Sequence, residues 1–509
     1  MPLTRISGLF CCAALALMLA GAAQGSLEVG VTEDAGKTAD GGTPFFSTLT
    51  DIGLTANRVS IPWDPAQPTA IQSRAELESW LPQAAANHTR IVFAVAPLSA
   101  GDLTASPTRV SQFVAFLQQL AQAFPAVKDY VIGNEPNQPR FWQPQFDPAG
   151  KPLSAAQYLP VLAQSYDALK AIDPTITVIG VGLSPRGNDL SAAKNNRSRS
   201  PVRFLRDLGA AYRTSKRTKP LMDELAFHPY PSSSRDQIAT GYAWPNAGVA
   251  NLDRIRQAVW DAFHGTSQPI FAENGVSKFA KPLTFDLDEV GWQVEIPPAL
   301  ASLYFGSETG PTTDEATQAQ IYGDLVKLLA CDPSVRLLSF FHLVDELDLN
   351  RWQSGFERGD GSHRPSYGAV KDAIAQTHGA CQGPVQTWAH TARVVLPFVA
   401  WGNLSKPQRV SRKRRGFYAG AGEEATFRAG IFKAGPRSAA LGRRLALGRP
   451  KPLLRATGTI KAKGRAVSFP ARKLKPGRYV YAMRMVSTMN PNRVTVLVSR
   501  SFRVGLSRR

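Results

Sequence analysis

Between Leu27 and Thr377 a short apolar run followed by a helix-length amphipathic segment recurs eight times, and this alternation implies βα units around a parallel sheet. The apolar runs are 27–31, 56–61, 91–96, 130–133, 177–181, 224–227, 270–272 and 337–341. The helical segments between and after them are 45–52, 74–86, 110–124, 155–172, 202–212, 252–263, 314–329 and 367–377. Eight such units predict a closed (β/α)8 barrel. An open doubly wound sheet is the alternative, but no Gly-rich phosphate turn follows the first run.

Two of the runs end in a glutamate. Val131-Ile132-Gly133-Asn134-Glu135-Pro136 breaks at Asn-Glu-Pro, and Ile270-Phe271-Ala272-Glu273-Asn274-Gly275 breaks at Asn-Gly. In a barrel the chemistry sits at the C-terminal ends of the strands, so both carboxylates are expected at one mouth. Two carboxylates facing one sugar are what glycoside hydrolysis requires, one protonated to serve the leaving oxygen and one ionised to attack the anomeric carbon. A glutamate at a strand-to-helix turn can also be a first-turn cap. The segments 231–250 and 277–311 are long for connections and read as walls of a substrate cleft.

With these strands and glutamates in order, residues 27–378 resemble the clan of retaining (β/α)8 glycoside hydrolases that includes cellulase-like and β-xylosidase-like families. Asn134-Glu135-Pro136 matches the acid/base motif on strand four, and Glu273 matches the nucleophile on strand seven. Arg58 resembles the strand-two arginine that supports the nucleophile, and His228-Pro229-Tyr230 resembles the strand-six pair beside it. The resemblance implies a carbohydrate substrate, with Arg58, Asn134, His228, Tyr230, Trp142 and His342 lining its site. Arg58 also admits a barrel salt bridge, and His228 a core position. The chain departs from the pattern twice. Phe340-Phe341-His342 stands where a tryptophan platform is common after strand eight, and Ala96-Pro97-Leu98-Ser99 lacks a polar residue after strand three. Trp63, Trp142, Trp244, Trp292 and Trp352 fall in segments near the expected mouth, where sugar stacking and ordinary packing compete as explanations. A barrel serving only as a carbohydrate-binding protein is the alternative to an enzyme.

Charge divides the chain more sharply than hydropathy does. Residues 391–509 hold 28 Lys and Arg against 2 acidic side chains, a net +26, whereas the remainder is at −6. In this basic part, short alternating segments punctuated by Gly and Pro predict an antiparallel β-sandwich. Leu474-Lys475-Pro476-Gly477-Arg478-Tyr479 looks like the turn entering a late strand of immunoglobulin-like modules. Residues 1–25 carry one Arg, an apolar run and small residues before Ser26, the pattern of a secretory signal. The domain reading is therefore a signal at 1–25, a barrel at 26–385 and a basic sandwich at 386–509. No later stretch is long and apolar enough for a membrane helix.

An exported protein with a strong positive field is expected to meet an anionic envelope or matrix polymer rather than nucleic acid. Metal-binding spacings of His and Cys are absent, so neither a metal nor a cofactor is expected. Cys11 and Cys12 leave with the signal, and Cys331 and Cys381 remain. Both lie near the ends of neighbouring helices on the barrel floor, which predicts a disulfide between them.

Overall fold

The computed structural model describes residues 26–390, 400–411, 414–421, 424–434, 451–460, 465–470, 474–487, 494–499 and 501–504. The signal expected at 1–25 lies outside them. The chain divides into two compact units with the main boundary after Trp388.

In the first unit eight parallel strands close into a barrel. They are β1 (Glu28–Thr32), β2 (Ala56–Trp63), β3 (Arg90–Pro97), β4 (Asp129–Ile132), β5 (Thr177–Leu183), β6 (Glu224–Phe227), β7 (Thr284–Val290) and β8 (Val335–Phe340). Each neighbours the next, and β8 returns to β1 with Glu28 opposite Leu337. The outer helices are α1 (Thr43–Ile52), α2 (Arg74–Ala86), α3 (Pro107–Ala123), α4 (Ser154–Ile172), α5 (Pro201–Ser215), α6 (Leu252–Phe263), α7 (Glu315–Leu329) and α8 (Pro365–Thr377). Local chemistry starts several of them. Proline stands in the first turn of α3, α5 and α8, where its missing N–H costs nothing, and Asp314 caps α7 by accepting from the Thr317 amide.

The barrel interior is layered. Ala56, Val92, Ala94, Val131, Ile179, Ala226 and Leu337 form a buried apolar cluster within it. At the floor, where the strands begin, the filling is ionic. Arg90 reaches Glu28 at 2.6 Å and Asp129 at 3.0 Å, while Arg336 reaches Asp129 at 2.8 Å and Glu224 at 2.9 Å. Asp286 of β7 faces the same two arginines, and burial pushes its carboxyl up to about 6.

Strand seven corrects the sequence reading. The apolar run 270–272 is not a barrel strand; β7 lies fourteen residues later, in Thr284-Phe285-Asp286-Leu287-Asp288-Glu289-Val290. Ile270 and Phe271 are buried, with the Phe271 ring 4.3 Å from Phe285. Glu273 and Val276 exchange backbone hydrogen bonds across Asn274 (φ 50°) and Gly275 (φ 77°), so Asn-Gly makes a tight turn of its own. The Leu283 amide then donates to the Ile270 carbonyl, so this excursion hangs at the entry of β7, the end opposite the mouth. Of the segment expected as a cleft wall, only the part after Val290 follows the strand. That part closes against the neighbouring connection, where the Trp292 indole donates to the Asp236 carbonyl at 2.8 Å.

Cys331 and Cys381 are joined as a disulfide, as their places at the ends of α7 and α8 predict. None of the described helices is long and apolar enough to cross a membrane.

The second unit contains the expected antiparallel sandwich. One sheet has the order β13 (Arg465–Pro470), β10 (Arg414–Ala421), β9 (Ala400–Ser411). The other runs β12 (Leu454–Ile460), β11 (Ala425–Lys433), β14 (Gly477–Ser487), β15 (Val494–Val498), with β16 (Phe502–Val504) also on β14. Side chains from both sheets share one core. Phe417 of β10 stacks on Tyr481 of β14 at 4.1 Å, and Phe427, Phe469, Met483 and Met485 surround them. The turn read at 474–479 does enter β14, and the Tyr479 hydroxyl donates back to the Lys475 carbonyl at 2.6 Å.

Candidate active site

The mouth is organised by the way β4 and β7 end. After Ile132 the chain turns through Gly133 (φ 83°), and Glu135 takes a φ of 36°, a conformation L side chains rarely adopt. Hydrogen bonds hold it there. The Glu135 amide donates to Gly182 at 2.8 Å, and the Tyr158 hydroxyl of α4 donates to Ile132 and accepts from the Val181 amide. Asn137 bonds both backbone groups of Ser184, locking the loop behind the glutamate.

On β7 a bulge does the equivalent work. Leu287 pairs with Leu338 and Val290 with Phe340, so β7 carries one residue more than β8 between those points. Strict alternation would send Asp288 and Glu289 to opposite faces. With the extra residue both reach Arg58 of β2, Asp288 at 2.9 Å through Nε and Glu289 at 3.0 Å through Nη1. The other guanidinium nitrogen donates to Asn134 Oδ1 at 2.9 Å. One buried arginine of β2 thereby ties the ends of β4 and β7 into a fixed array.

His228, the residue after β6, completes it. Its Nδ1 lies 3.0 Å from Glu135 Oε1 and 3.5 Å from Glu289 Oε2, and its Nε2 lies 3.3 Å from Asp288 Oδ1. The Tyr230 hydroxyl donates to Glu289 Oε2 at 3.1 Å. Burial alone would favour neutral imidazole, but the negative charges of Glu289 and Asp288 outweigh it and push the His228 pKa up to about 10. Burial likewise opposes the Arg58 charge and is more than offset by Glu289 and Asp288, so its pKa also rises. Burial would raise the Asp288 carboxyl, yet the charges of His228 and Arg58 hold it below its usual value. Tyr230 is driven well above the ordinary phenol range by burial and by Glu289, and stays a neutral donor.

The fold thus brings Arg58, Asn134, Glu135, His228 and Tyr230 together, and Glu273 does not join them. Trp142 is also corrected: it is buried, packs edge-on to Tyr158 at 5.5 Å and donates to Gln157, so it belongs to the scaffold. Trp63 and Trp292 are buried in the same way. Trp352 is only half-buried, with its ring 4.6 Å from that of Tyr230. His342 is bonded through Nδ1 to the Thr32 carbonyl at 3.0 Å, and its Nε2 lies 3.6 Å from Glu346. Asp288 and Glu289 are the residues the sequence reading missed. Their signal was the alternation Phe285-Asp286-Leu287-Asp288, a period of two with carboxylates on the inner face.

No family model and no curated protein matches the chain. Its structural neighbours are (β/α)8-barrel glycoside hydrolases. A family 39 glycoside hydrolase from Bacteroides cellulosilyticus WH2 aligns over 80% of this chain and 76% of its own at 15% identity, with a TM-score of 0.47. GH5_18 from Streptomyces cattleya, solved in complex with GlcNAc, aligns over 74% and 84% at 16% identity and a TM-score of 0.45. The endo-beta-1,4-mannanase from Thermotoga petrophila aligns over 94% and 98% at 9% identity and a TM-score of 0.42. These likenesses concern the fold; the chemistry rests on the side chains described above.

Proposed function

We propose that this chain is an exported retaining glycoside hydrolase in which Glu135 is the acid/base and Glu289 the nucleophile. The observation that carries the reading is the single ring nitrogen of His228 within reach of both carboxylates, at 3.0 and 3.5 Å. The two oxygens it faces can be no farther apart than those distances laid end to end. That span accommodates the roughly 5–5.5 Å of a double displacement and touches only the lower edge of the roughly 6.5–9.5 Å over which an inverting enzyme seats a water between its carboxylates.

Each neighbour then has a part in the reaction. Arg58 and Tyr230 direct positive charge and a hydroxyl hydrogen at Glu289, holding it aimed at the anomeric carbon. Glu289 attacks the anomeric carbon while the bond to the leaving oxygen breaks and Glu135 gives that oxygen its proton. The glycosyl-enzyme is released when Glu135 takes a proton from water and the resulting hydroxide displaces Glu289. The cationic His228 between the two carboxylates reduces their mutual repulsion and stabilises Glu135 after it has lost its proton. Asn134, held by Arg58, is placed to bond the hydroxyl beside the reacting carbon. Export follows from the signal read at 1–25.

A panel of aryl glycosides followed by proton NMR tests this. The expected result is turnover of at least one glycoside with the first-formed product retaining the substrate's anomeric configuration. An inverted first product would overturn the mechanism, and tight oligosaccharide binding without turnover of any glycoside would replace the enzyme by a binding protein.

A further inference from the structure

The floor of the barrel holds more acid than base. Glu28 of β1, Asp129 of β4, Glu224 of β6 and Asp286 of β7 share it with Arg90 of β3 and Arg336 of β8, four carboxyls against two guanidiniums. β5 carries no ionisable side chain, and Arg58, the one ionisable residue of β2, serves the mouth. The short contacts of the two arginines, at 2.6 to 3.0 Å, go to Glu28, Asp129 and Glu224. Asp286, closed to solvent, receives what is left: Arg336 Nε stands 3.6 Å from its Oδ1, and Arg90 Nη2 stands 3.9 Å from its Oδ2. Neither oxygen accepts a hydrogen bond from an N–H of the described residues.

A buried carboxylate without a donor is costly, and a second carboxyl can supply the donor by keeping its proton. Glu224 is placed to do so. Arg336 Nε lies 2.9 Å from Glu224 Oε2 as well as 3.6 Å from Asp286 Oδ1, so the two carboxyls meet at one nitrogen. Held that close, they resist carrying two negative charges. Asp288, two residues further along β7, adds a like charge to the field at Asp286, although His228 and Arg58 face it at the mouth. Burial pushes the Glu224 carboxyl well above its usual range, and the charge of Asp286 and a hydrogen bond to it push the same way. On Asp286 burial also raises the carboxyl, to about 6, while Arg90 and that same hydrogen bond favour its ionised form.

We infer that the barrel floor keeps a proton on Glu224, donated in a hydrogen bond to Asp286, and that this protonated pair is a pH-sensitive latch on the starts of β6 and β7. When the proton leaves, Asp286 loses its donor and four negative charges face two positive ones in the same layer. A carboxyl whose folded pKa lies above its unfolded value, near 4.3 for Glu, contributes stability that is complete below about pH 4.3 and is lost as pH rises through the folded pKa. The latch therefore favours the fold in acid and is released toward alkaline pH.

Thermal melts of the full chain, wild type against Glu224→Gln, between about pH 5 and about pH 9 test the inference. Glutamine keeps an N–H donor for Asp286 and cannot ionise. The variant should melt close to wild type at the acid end and above it by about 3 °C or more at the alkaline end. His228 also withdraws stability as pH rises, but equally in both proteins, so the difference between them isolates the floor. Infrared spectra at about pH 6 read the proton itself: the carbonyl band of a protonated carboxyl should be present in wild type and diminished in Glu224→Gln, the contribution of Glu135 cancelling in the difference. Asp286→Asn removes the charge that holds the proton, and in it the band should disappear at lower pH than in wild type. A melting difference that does not change with pH, a wild-type spectrum from which Glu224→Gln removes no such band, or a band in Asp286→Asn that persists to the same pH as in wild type would overturn the proposal.

Discussion

Arg58 Nη1 lies 3.0 Å from Glu289 Oε1 in a place closed to solvent. The same guanidinium holds Asp288 at 2.9 Å, so removing it leaves two buried carboxylates with His228 as the cation facing both. Breaking a buried ion pair in this way costs about 3–5 kcal/mol of stability. Arg58→Met should lower the denaturation free energy by an amount in that range and cut turnover more than about 100-fold, since Glu289 loses the guanidinium that aims it at the anomeric carbon. A stable and active Arg58→Met protein would show that the pair matters little.

Tyr230 offers a gentler perturbation of the same group. Tyr230→Phe deletes one hydrogen bond to Glu289 and little else, a change of about 1.5–3 kcal/mol when the partner is charged. kcat should fall about 10- to 100-fold with the melting midpoint lowered by only a few degrees, and a loss confined to KM would assign Tyr230 to substrate binding instead.

His228 gives the site a measurable charge state. Its folded pKa of about 10 exceeds the unfolded value near 6.5, so its contribution to stability is complete below about pH 6.5 and is lost as pH rises toward 10. NMR titration of the ring should find it still protonated at pH 8. Glu289→Gln removes the largest charge holding it so and should bring the midpoint down; an imidazole already neutral at pH 7 in the wild type would contradict the assignment.

How much of this was legible beforehand depended on which side of the barrel a residue served. The βα alternation placed seven of the eight strands, because their inner faces carry enough apolar side chains to read as buried runs. β7 escaped because Asp286, Asp288 and Glu289 make it look like a solvated loop, whereas Arg90, Arg336, Arg58, His228 and Tyr230, from other parts of the sequence, make those charges tolerable inside. The apolar run at 270–272 took its place in the reading, although three residues and an Asn-Gly turn suit a hairpin tip as well as a strand end. Glu135 was found because Asn-Glu-Pro is distinctive; Glu289 was hidden because a bulge, which no spacing rule announces, turns it to the mouth. Trp142 failed for an ordinary reason, as large aromatics near a site are more often packed than presented.

The disulfide is the part of the prediction that depended on topology alone. Cys331 and Cys381 close a loop of 50 residues, for which chain entropy gives a stabilisation of about 4 kcal/mol. Denatured, unreduced protein beginning at Ser26 should show no reactive thiol, and the reduced protein should melt lower; two titratable thiols before reduction would refute the bridge.

The central claim is that Glu289, and not Glu273, becomes covalently attached to the sugar. Inactivation with a 2-deoxy-2-fluoro glycoside of an accepted substrate, followed by tryptic peptide mapping, decides it, because cleavage after Lys278 puts the two glutamates on different peptides. The added mass should fall on the peptide containing Glu289, with Glu289→Gln unlabelled and inactive and Glu273→Gln labelled and active. Label on the Glu273 peptide, or undiminished turnover by Glu289→Gln, would contradict the account.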